Sequence, residues 1–185
     1  MSHILAFGCP TIQQPPCYTI SVMNLLHTFN KENVSETDAA TYKVRKATRA
    51  IVFDNEGNVA LLHVTKHNYY EVPGGGVEEG ETLEEGCIRE CKEEIGCVVE
   101  ITGEVGRTLE YRKQLERINE SFCFTAKIVG EKGIPELQED EIEMGTETIW
   151  VSKDKALELL RNIAVPEHLY DRYIIERSVI FLEAI

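Results

Sequence analysis

Three glutamates lie close together near the middle of the chain: Glu90, Glu93 and Glu94. In a helix, these spacings place the three carboxylates on one face, where they can converge. Clustered carboxylates repel one another unless a cation lies among them. Hard oxygen ligands in such an arrangement suit Mg²⁺ or Mn²⁺. The spacing therefore predicts a site for a divalent metal.

The surrounding residues predict the helix that must position these glutamates. Thr82 followed three residues later by Glu85 has the spacing of a capping box, and Gly96 is typical of the residue that ends a helix. A helix should therefore run between Thr82 and Gly96. Its apolar residues fall on one stripe that should face a core, namely Leu83, Cys87, Ile88, Cys91 and Ile95.

A glycine-rich loop before this helix decides between two interpretations of the glutamates. An acidic run is most often a solvated helix face without function. Here Pro73 is followed by Gly74, Gly75 and Gly76, whose backbone can approach a ligand closely. Gly86 should cost about 1 kcal/mol inside a helix relative to alanine, which indicates close packing at that position. The loop and the helix together favour a functional site.

Residues 75–97 read GGVEEGETLEEGCIRECKEEIGC and fit the pattern Gx5Ex7REUxEExGU, in which U is a bulky apolar residue. The fixed positions are occupied by Gly75, Glu81, Arg89, Glu90, Glu93, Glu94 and Gly96. Both U positions are cysteine, Cys91 and Cys97, which affects packing more than chemistry. The segment resembles the box of the Nudix hydrolases, and the resemblance covers roughly residues 45 to 160.

This resemblance implies a fold and a reaction. The fold would be an α/β/α sandwich with a mixed sheet, which the predicted strands and helices also favour. The reaction would be hydrolysis of a diphosphate linkage in a nucleoside diphosphate bonded to another group, with Mg²⁺ or Mn²⁺ as cofactor. Such chemistry depends on positioning and charge neutralisation, so metal ions and an activated water suffice without a covalent nucleophile.

The resemblance also implies which residues bind the metal. Glu93 and Glu94 would be ligands, Glu90 would be a ligand or the general base, and the carbonyl of Gly74 would complete the coordination. Glu90, Glu93 and Arg89 are thus the predicted catalytic residues.

Two further roles follow from the same resemblance. Arg89 would orient the glutamates by pairing with Glu93 or Glu85, and Glu81 would serve the structure of the loop. The family often recruits another acid from a later loop, and the acidic run at residues 139–143 supplies the candidates Glu141 and Glu143.

Substrate contacts are harder to assign from sequence. The backbone of Gly75 and Gly76 would face the phosphates, Tyr70 could stack on a base, and Arg112 could bind a phosphate. Tyrosines in strands more often serve packing, and exposed arginines more often have no ligand, so both alternatives stay open. The signatures of several subgroups of the family are absent, which leaves a nucleoside triphosphate as the default substrate.

Composition excludes several classes of protein. The chain has 185 residues and a formal net charge of -13, which argues against a nucleic-acid polymer or a lipid surface as partner and leaves a small nucleotide. No apolar run approaches membrane-spanning length, and no lysine or arginine precedes Lys31, so we expect no signal peptide and a cytoplasmic location. The six cysteines form no CxxC pair, which predicts reduced core thiols rather than disulfides.

The pattern along the chain divides it near residue 44. Residues 1–43 carry no motif and are interpreted as an N-terminal extension that could cover the core or a partner subunit in a homodimer, and Met23 is an alternative start. Residues 44–185 are interpreted as the Nudix domain with a C-terminal helix. Strands are predicted at 50–53, 59–64, 98–101, 106–112, 121–129 and 148–151, with helices from Ser152 to about Arg161 and from Pro166 onward.

Two competing functions share this fold. One is a module that senses nucleotides without cleaving them, although sensors can lose the glutamates that this chain retains. The other is a metal-dependent isomerase of prenyl diphosphates, which would need a catalytic cysteine and glutamate outside the box. No local sequence context points to that pair.

Overall fold

A computed structural model describes residues 23–164 and 168–185 of the chain. Its strands are β1 (Leu25–Phe29), β2 (Lys43–Phe53), β3 (Val59–Val64), β4 (Tyr69–Glu71), β5 (Val99–Arg112), β6 (Arg117–Ile128) and β7 (Thr146–Val151). Its helices are α1 (Glu36–Ala39), α2 (Leu83–Ile95), α3 (Glu139–Met144), α4 (Lys153–Arg161) and α5 (Leu169–Glu183), with a 3₁₀ turn at Lys113–Leu115.

All of these strands belong to one mixed sheet. Its order is β1-β5-β6-β2-β3-β4, and β7 also pairs with β3. The β1–β5 and β2–β6 pairs are parallel, whereas β5–β6 and β3–β7 are antiparallel. Helix α2 packs in the apolar core on one face, and α4 and α5 pack in the core on the other. The predicted α/β/α sandwich with a mixed sheet is confirmed.

Helix α2 forms for the local reasons that the sequence indicates. The Thr82 side chain accepts a hydrogen bond from the backbone N–H of Glu85, and the Glu85 carboxylate accepts one from the Thr82 N–H, so the capping box is complete. Gly96 ends the helix in the left-handed conformation at φ 66°. Cys87, Cys91 and Ile95 are buried, but Ile88 is 37% exposed, so the predicted stripe is wrong at that residue.

The long strand β5 corrects the prediction of two separate strands at 98–101 and 106–112. The chain pairs with β6 from Val99 to Arg112, and the register shifts between Ile101 and Gly103 and again between Glu104 and Gly106. Glycines at such positions relax the backbone enough for an irregularity without ending the strand.

Part of the predicted extension joins the sheet. Strand β1 pairs with β5 in the register that places Leu25 opposite Arg107, and Phe29 is buried against the α5 side. No element was predicted here because the segment lacks period-two alternation. The role of the extension and the alternative start at Met23 stay predictions, and residues 1–22 lie outside the described part of the chain.

The C-terminal part of the chain follows the predicted order of elements. Ser152 caps α4, with its Oγ accepting from the Lys155 N–H at 3.3 Å. The predicted helix start at Pro166 lies outside the described residues, and α5 begins at Leu169. The acidic run expected to lie in a loop forms the short helix α3 instead. In the part of the chain that the structure covers, no helix is long and apolar enough to span a membrane.

Candidate active site

The glycine-rich loop is held against β2 by backbone hydrogen bonds. The Thr48 N–H donates to Gly75 O at 2.9 Å, and the Val77 N–H donates to Lys46 O at 3.2 Å. Gly74 has φ +135°, and a Cβ at that position would lie 2.2 Å from the Thr48 carbonyl oxygen. Another residue type would therefore displace the loop from β2.

The same loop lies directly over the carboxylate of Glu90. A Cβ on Gly75 would lie 2.4 Å from Glu90 Oε1, so any side chain there would collide with the carboxylate. Gly75 thus lets the loop backbone come close to the acidic face of α2.

Arg89 joins this face of α2 to the loop. Its Nε donates to Glu81 at 2.9 Å, its Nη1 donates to Glu90 at 2.8 Å and to Glu93 at 3.2 Å, and its Nη2 donates to Gly76 O at 2.8 Å. The hydrogen bond with Glu81 is the main reason why the pKa of Arg89 is raised and that of Glu81 lowered.

Of the two partners predicted for Arg89, the structure pairs it with one and adds others. Its predicted pairing with Glu93 is present, while the alternative partner Glu85 is used in the capping box instead. Glu81 also accepts from the backbone N–H of Glu78 at 2.9 Å. Glu81 therefore connects the loop that leads into α2 to Arg89, and its structural role stays a prediction.

The three glutamates differ in burial and in their hydrogen-bond partners. Glu90 and Glu94 are 6% and 7% exposed, and Glu93 has a side chain that is 28% exposed. Burial raises the pKa of Glu90 despite its bonds with Arg89. Burial also raises the pKa of Glu94 strongly, with the charge of Glu71 adding to the effect.

The expected convergence of the three carboxylates is not preformed. Glu94 Oε2 accepts from the Gly74 N–H at 2.5 Å, whereas Glu90 and Glu93 share Arg89. Among residues 23–164 and 168–185, no three His, Cys, Asp or Glu side chains are grouped closely enough to hold a metal ion. Glu94 has its own donor and Arg89 bridges Glu90 and Glu93, and these bonds reduce the repulsion among the three carboxylates.

A buried arginine that the sequence did not single out lies beneath the loop. Arg49 is 8% exposed, and its guanidinium donates to the carbonyl oxygens of Gly74 and Thr48. Burial and the nearby charge of Arg177 lower the pKa of Arg49 to about 10, against the opposite effect of Glu71. One lone pair of the Gly74 carbonyl is thereby used, and the second remains for another donor or a cation.

A buried ionic network extends from this point under α5. Arg177 is 1% exposed and donates to Glu110 at 2.6 Å, and its Nη2 lies 3.6 Å from Glu71. Arg112 pairs with the same Glu110 at 2.8 Å. The charged residue types on β4, β5 and α5 gave no sequence signal, because their partners are distant in sequence.

The two candidate acids of the later segment separate in the structure. Glu141 lines a cavity of about 180 Å³ together with Glu71, Glu94 and Asp140. Glu141 also accepts from the Gln138 N–H at 2.6 Å, which caps α3. Glu143 instead pairs with Lys66 at 3.0 Å at the surface. The structure therefore brings Glu141, and not Glu143, to the cavity that contains Glu94.

The remaining candidate substrate contacts lie in different surroundings. The Tyr70 ring stacks on His63 with centroids 4.4 Å apart. Arg112 lies over the Tyr170 ring at 4.7 Å. The cysteines in the described ranges, Cys87, Cys91, Cys97 and Cys123, are free and buried, which agrees with the predicted core thiols.

A mixed sheet lies between α2 and the α4–α5 pair, and an acidic helix follows a glycine-rich loop at its edge. The sequence model of the NUDIX domain matches residues 43–173. The chain therefore belongs to the NUDIX family, as the box predicts.

Solved structures support the fold. A NUDIX hydrolase from Nitrosomonas europaea superposes with a TM-score of 0.55 at 18% identity, over 72% of this chain and 87% of that one. A MutT protein from Methanosarcina mazei Go1 gives a TM-score of 0.51 at 22% identity, over 74% and 94% of the two chains.

One curated relative shares a shorter segment. The RNA pyrophosphohydrolase of Wolbachia pipientis subsp. Culex pipiens (strain wPip) is 36% identical over 53 residues, which are 28% of this chain. The match spans 33% of the length of that relative.

Proposed function

We propose that the protein hydrolyses a diphosphate linkage in a nucleoside triphosphate or another nucleoside diphosphate derivative, with Mg²⁺ or Mn²⁺ as cofactor. One observation carries the proposal: Arg89 holds Glu90 and Glu93 beneath a loop whose Gly75 leaves room for the Glu90 carboxylate. A loop without side chains beside an acidic helix face suits a phosphate chain bound through metal ions.

The donor set fits such a cation. Glu90, Glu93 and Glu94 offer hard oxygen ligands on one helix face, and the second lone pair of the Gly74 carbonyl would add another. Burial raises the pKa of Glu90 and Glu94, because a charged carboxylate loses its hydration there. A bound cation would stabilise the charged form of both residues. When bound, the metal supplies neutralisation of the substrate oxygens and acidification of a water.

The protein's own residues would orient the carboxylates, position the phosphates and supply the general base. Arg89 orients Glu90 and Glu93, and the loop at Gly75 and Gly76 positions the phosphates. Glu90 is one candidate for the general base, and Glu141 is the other because it lines the cavity that contains Glu94.

Two side chains would contact the rest of the substrate. Tyr70 would stack on the base, and Arg112 would bind a phosphate. We further propose a small nucleotide as partner and a cytoplasmic location, with a homodimer as a possible assembly.

The name of the Wolbachia relative supports attack on a pyrophosphate bond and adds one substrate to test. The decisive experiment separates by chromatography the products formed with Mg²⁺ from nucleoside triphosphates, sugar nucleotides, ADP-ribose, dinucleoside polyphosphates and a 5′-triphosphorylated RNA. Separation is needed because ADP-ribose and sugar nucleotides yield a nucleoside monophosphate and a sugar phosphate rather than free phosphate or pyrophosphate. We expect cleavage of at least one of these and almost none of AMP, which has no diphosphate linkage.

Three results would contradict the proposal. Tight binding without cleavage of any compound would favour the sensing module. Interconversion of prenyl diphosphates without phosphate release would favour the isomerase. Efficient release of phosphate from AMP would exclude a mechanism that needs a diphosphate linkage.

A further inference from the structure

The face of the sheet under α5 carries an arginine cluster of which only Arg112 has a role so far. We propose that Arg45, Arg112 and Arg117 form a subsite for a third phosphate of the substrate, beyond the two joined by the hydrolysed linkage. This inference rests on the proposed function and narrows it to nucleotides that carry a triphosphate.

The strand register places the three arginines on one face. Paired residues on neighbouring strands share a face of the sheet. The relevant pairs are Arg45 with Asn119, Asn119 with Glu110, and Arg117 with Arg112. Because Glu110 bonds to Arg177 of α5, this face is the one that α5 covers.

The cluster concentrates positive charge in a protein whose net charge is -13. Burial lowers the pKa of Arg117, and the neighbouring guanidinium groups of Arg112 and Arg45 lower it further. Glu110 lies beside the cluster, and it is shared between Arg112 at 2.8 Å and Arg177 at 2.6 Å. An added phosphate would therefore meet positive charge that is not fully neutralised.

Several donors in the cluster lack a partner. In the part of the chain that the structure describes, the side chains of Arg45 and Arg117 form no ion pair. The Nε atoms of Arg112 and Arg117 are buried without a hydrogen-bond acceptor among the described residues, as is the hydroxyl of Ser121. Buried N–H groups rarely stay unpaired in folded proteins, and phosphate oxygens are strong acceptors for them.

The cluster adjoins the glycine loop. A Cβ on Gly76 would lie 2.6 Å from Arg45 Nη2, so Arg45 packs on the loop backbone. The carbonyl of Gly76 accepts from Arg89 at 2.8 Å, and Arg89 holds Glu90 and Glu93. A single glycine thus separates the cluster from the carboxylate face, so one polyphosphate chain can contact both.

Two features prepare the cluster for an anion. Arg112 is fixed by its bond to Glu110 and by the Tyr170 ring beneath its guanidinium, which reduces the entropy lost on binding. Arg45 is exposed, so the cluster is open to solvent at that end.

The kinetic test compares Arg45→Gln and Arg117→Gln with the wild type on a nucleoside triphosphate and on ADP-ribose, which has no third phosphate. Loss of a charged hydrogen bond should lower the ratio of kcat/KM for the triphosphate to that for ADP-ribose by roughly tenfold or more. Lys127→Gln is the matched control, because this substitution also removes one positive charge from β6. Lys127 lies at the other end of the strand, where it pairs with Glu100. An unchanged ratio in both arginine variants would overturn the subsite.

A binding test keeps the subsite separate from catalysis. Titration calorimetry with inorganic tripolyphosphate in EDTA should show binding to the wild type and to Lys127→Gln, with roughly tenfold weaker binding to each arginine variant. No binding to the wild type, or equal binding to all four proteins, would exclude the subsite. If the wild type cleaves no nucleotide but shows this binding pattern, the proposed function fails while the anion site stands.

Discussion

The two faces of the sheet differ in where their charged side chains lie. On the α2 face, an apolar core of cysteines and aliphatic residues supports a row of glutamates at its edge, and Glu93 keeps 28% of its side chain exposed. On the α5 face, the charges lie inside: Arg177 and Glu110 are 1% and 0% exposed. The paired charges under α5 are thus removed from solvent, whereas the carboxylate of Glu93 on α2 stays partly exposed.

This difference separates the expected consequences of mutation. Charges beside solvent can be removed with little effect on folding, because water replaces their partners. Charges inside the α5 face cannot, because the remaining partner would be buried without compensation. Substitution of the partly exposed Glu93 on α2 should therefore change activity, and substitution within the buried pair of Arg177 and Glu110 should change stability.

The largest effect should come from breaking the buried network. Arg177→Met should lower the free energy of unfolding by about 3–5 kcal/mol, because it leaves Glu110 buried with Arg112 as its remaining partner. Urea denaturation followed by circular dichroism measures this change.

Arg161→Met is the matched control for this experiment. Arg161 forms an ion pair with Glu183 at the surface of the same face, and its loss should cost no more than about 1 kcal/mol. Equal costs for the two arginines would contradict the contrast between buried and exposed charge.

The next effect should fall on activity alone. Glu93→Gln should lower kcat at least roughly a hundredfold, because it removes a carboxylate from the proposed metal site. The melting temperature should stay within about 2 °C of the wild type, since the residue is partly exposed. Glu84→Gln, an exposed change on the same helix, should leave both quantities unchanged. Wild-type turnover by Glu93→Gln would make the metal-site assignment wrong.

A smaller effect should follow from metal binding. Mg²⁺ at about ten times its dissociation constant should stabilise the protein by about 1.4 kcal/mol, because the cation binds the folded carboxylate face. For a chain of this size the melting temperature should rise by about 3–6 °C in differential scanning calorimetry. The same rise in a variant with all three of Glu90, Glu93 and Glu94 changed to glutamine would place the metal elsewhere.

The smallest effect should distinguish the helix caps of the two faces. Thr82→Ala removes the side-chain half of the capping box of α2, the bond that Thr82 Oγ1 accepts from the Glu85 N–H at 3.1 Å, and should cost about 1 kcal/mol. Ser152→Ala removes one hydrogen bond of 3.3 Å from α4 and should cost about 0.5 kcal/mol. Thermal denaturation of both variants tests the order, and a larger cost at Ser152 would reverse it.

The sequence predicted what depends on neighbouring residues. The limits of α2 follow from Thr82, Glu85 and Gly96, which act within one turn of the helix ends. The Nudix box predicted the family and the fold for the same reason, because its residues lie within one loop and one helix.

What the sequence did not predict depends on partners far along the chain. Arg49 bonds to Gly74 and Arg177 bonds to Glu110, across separations of 25 and 67 residues. Strand β1 acquires its identity only by pairing with β5. The misread break in β5 arose because Gly103 and Gly106 resemble turn residues, although pairing with β6 carries the strand through them.

The parallel pair of β1 and β5 also bears on how the chain is made. Leu25 is synthesised well before its partner Arg107. Strand β1 can therefore pair with β5 only after the middle of the chain has left the ribosome. Pairing of β2 with β6 is delayed in the same way, because Lys43 pairs with Arg117, which is synthesised much later. Non-local pairing of this kind slows folding, and we expect β1 to dock last at the edge of an otherwise finished sheet.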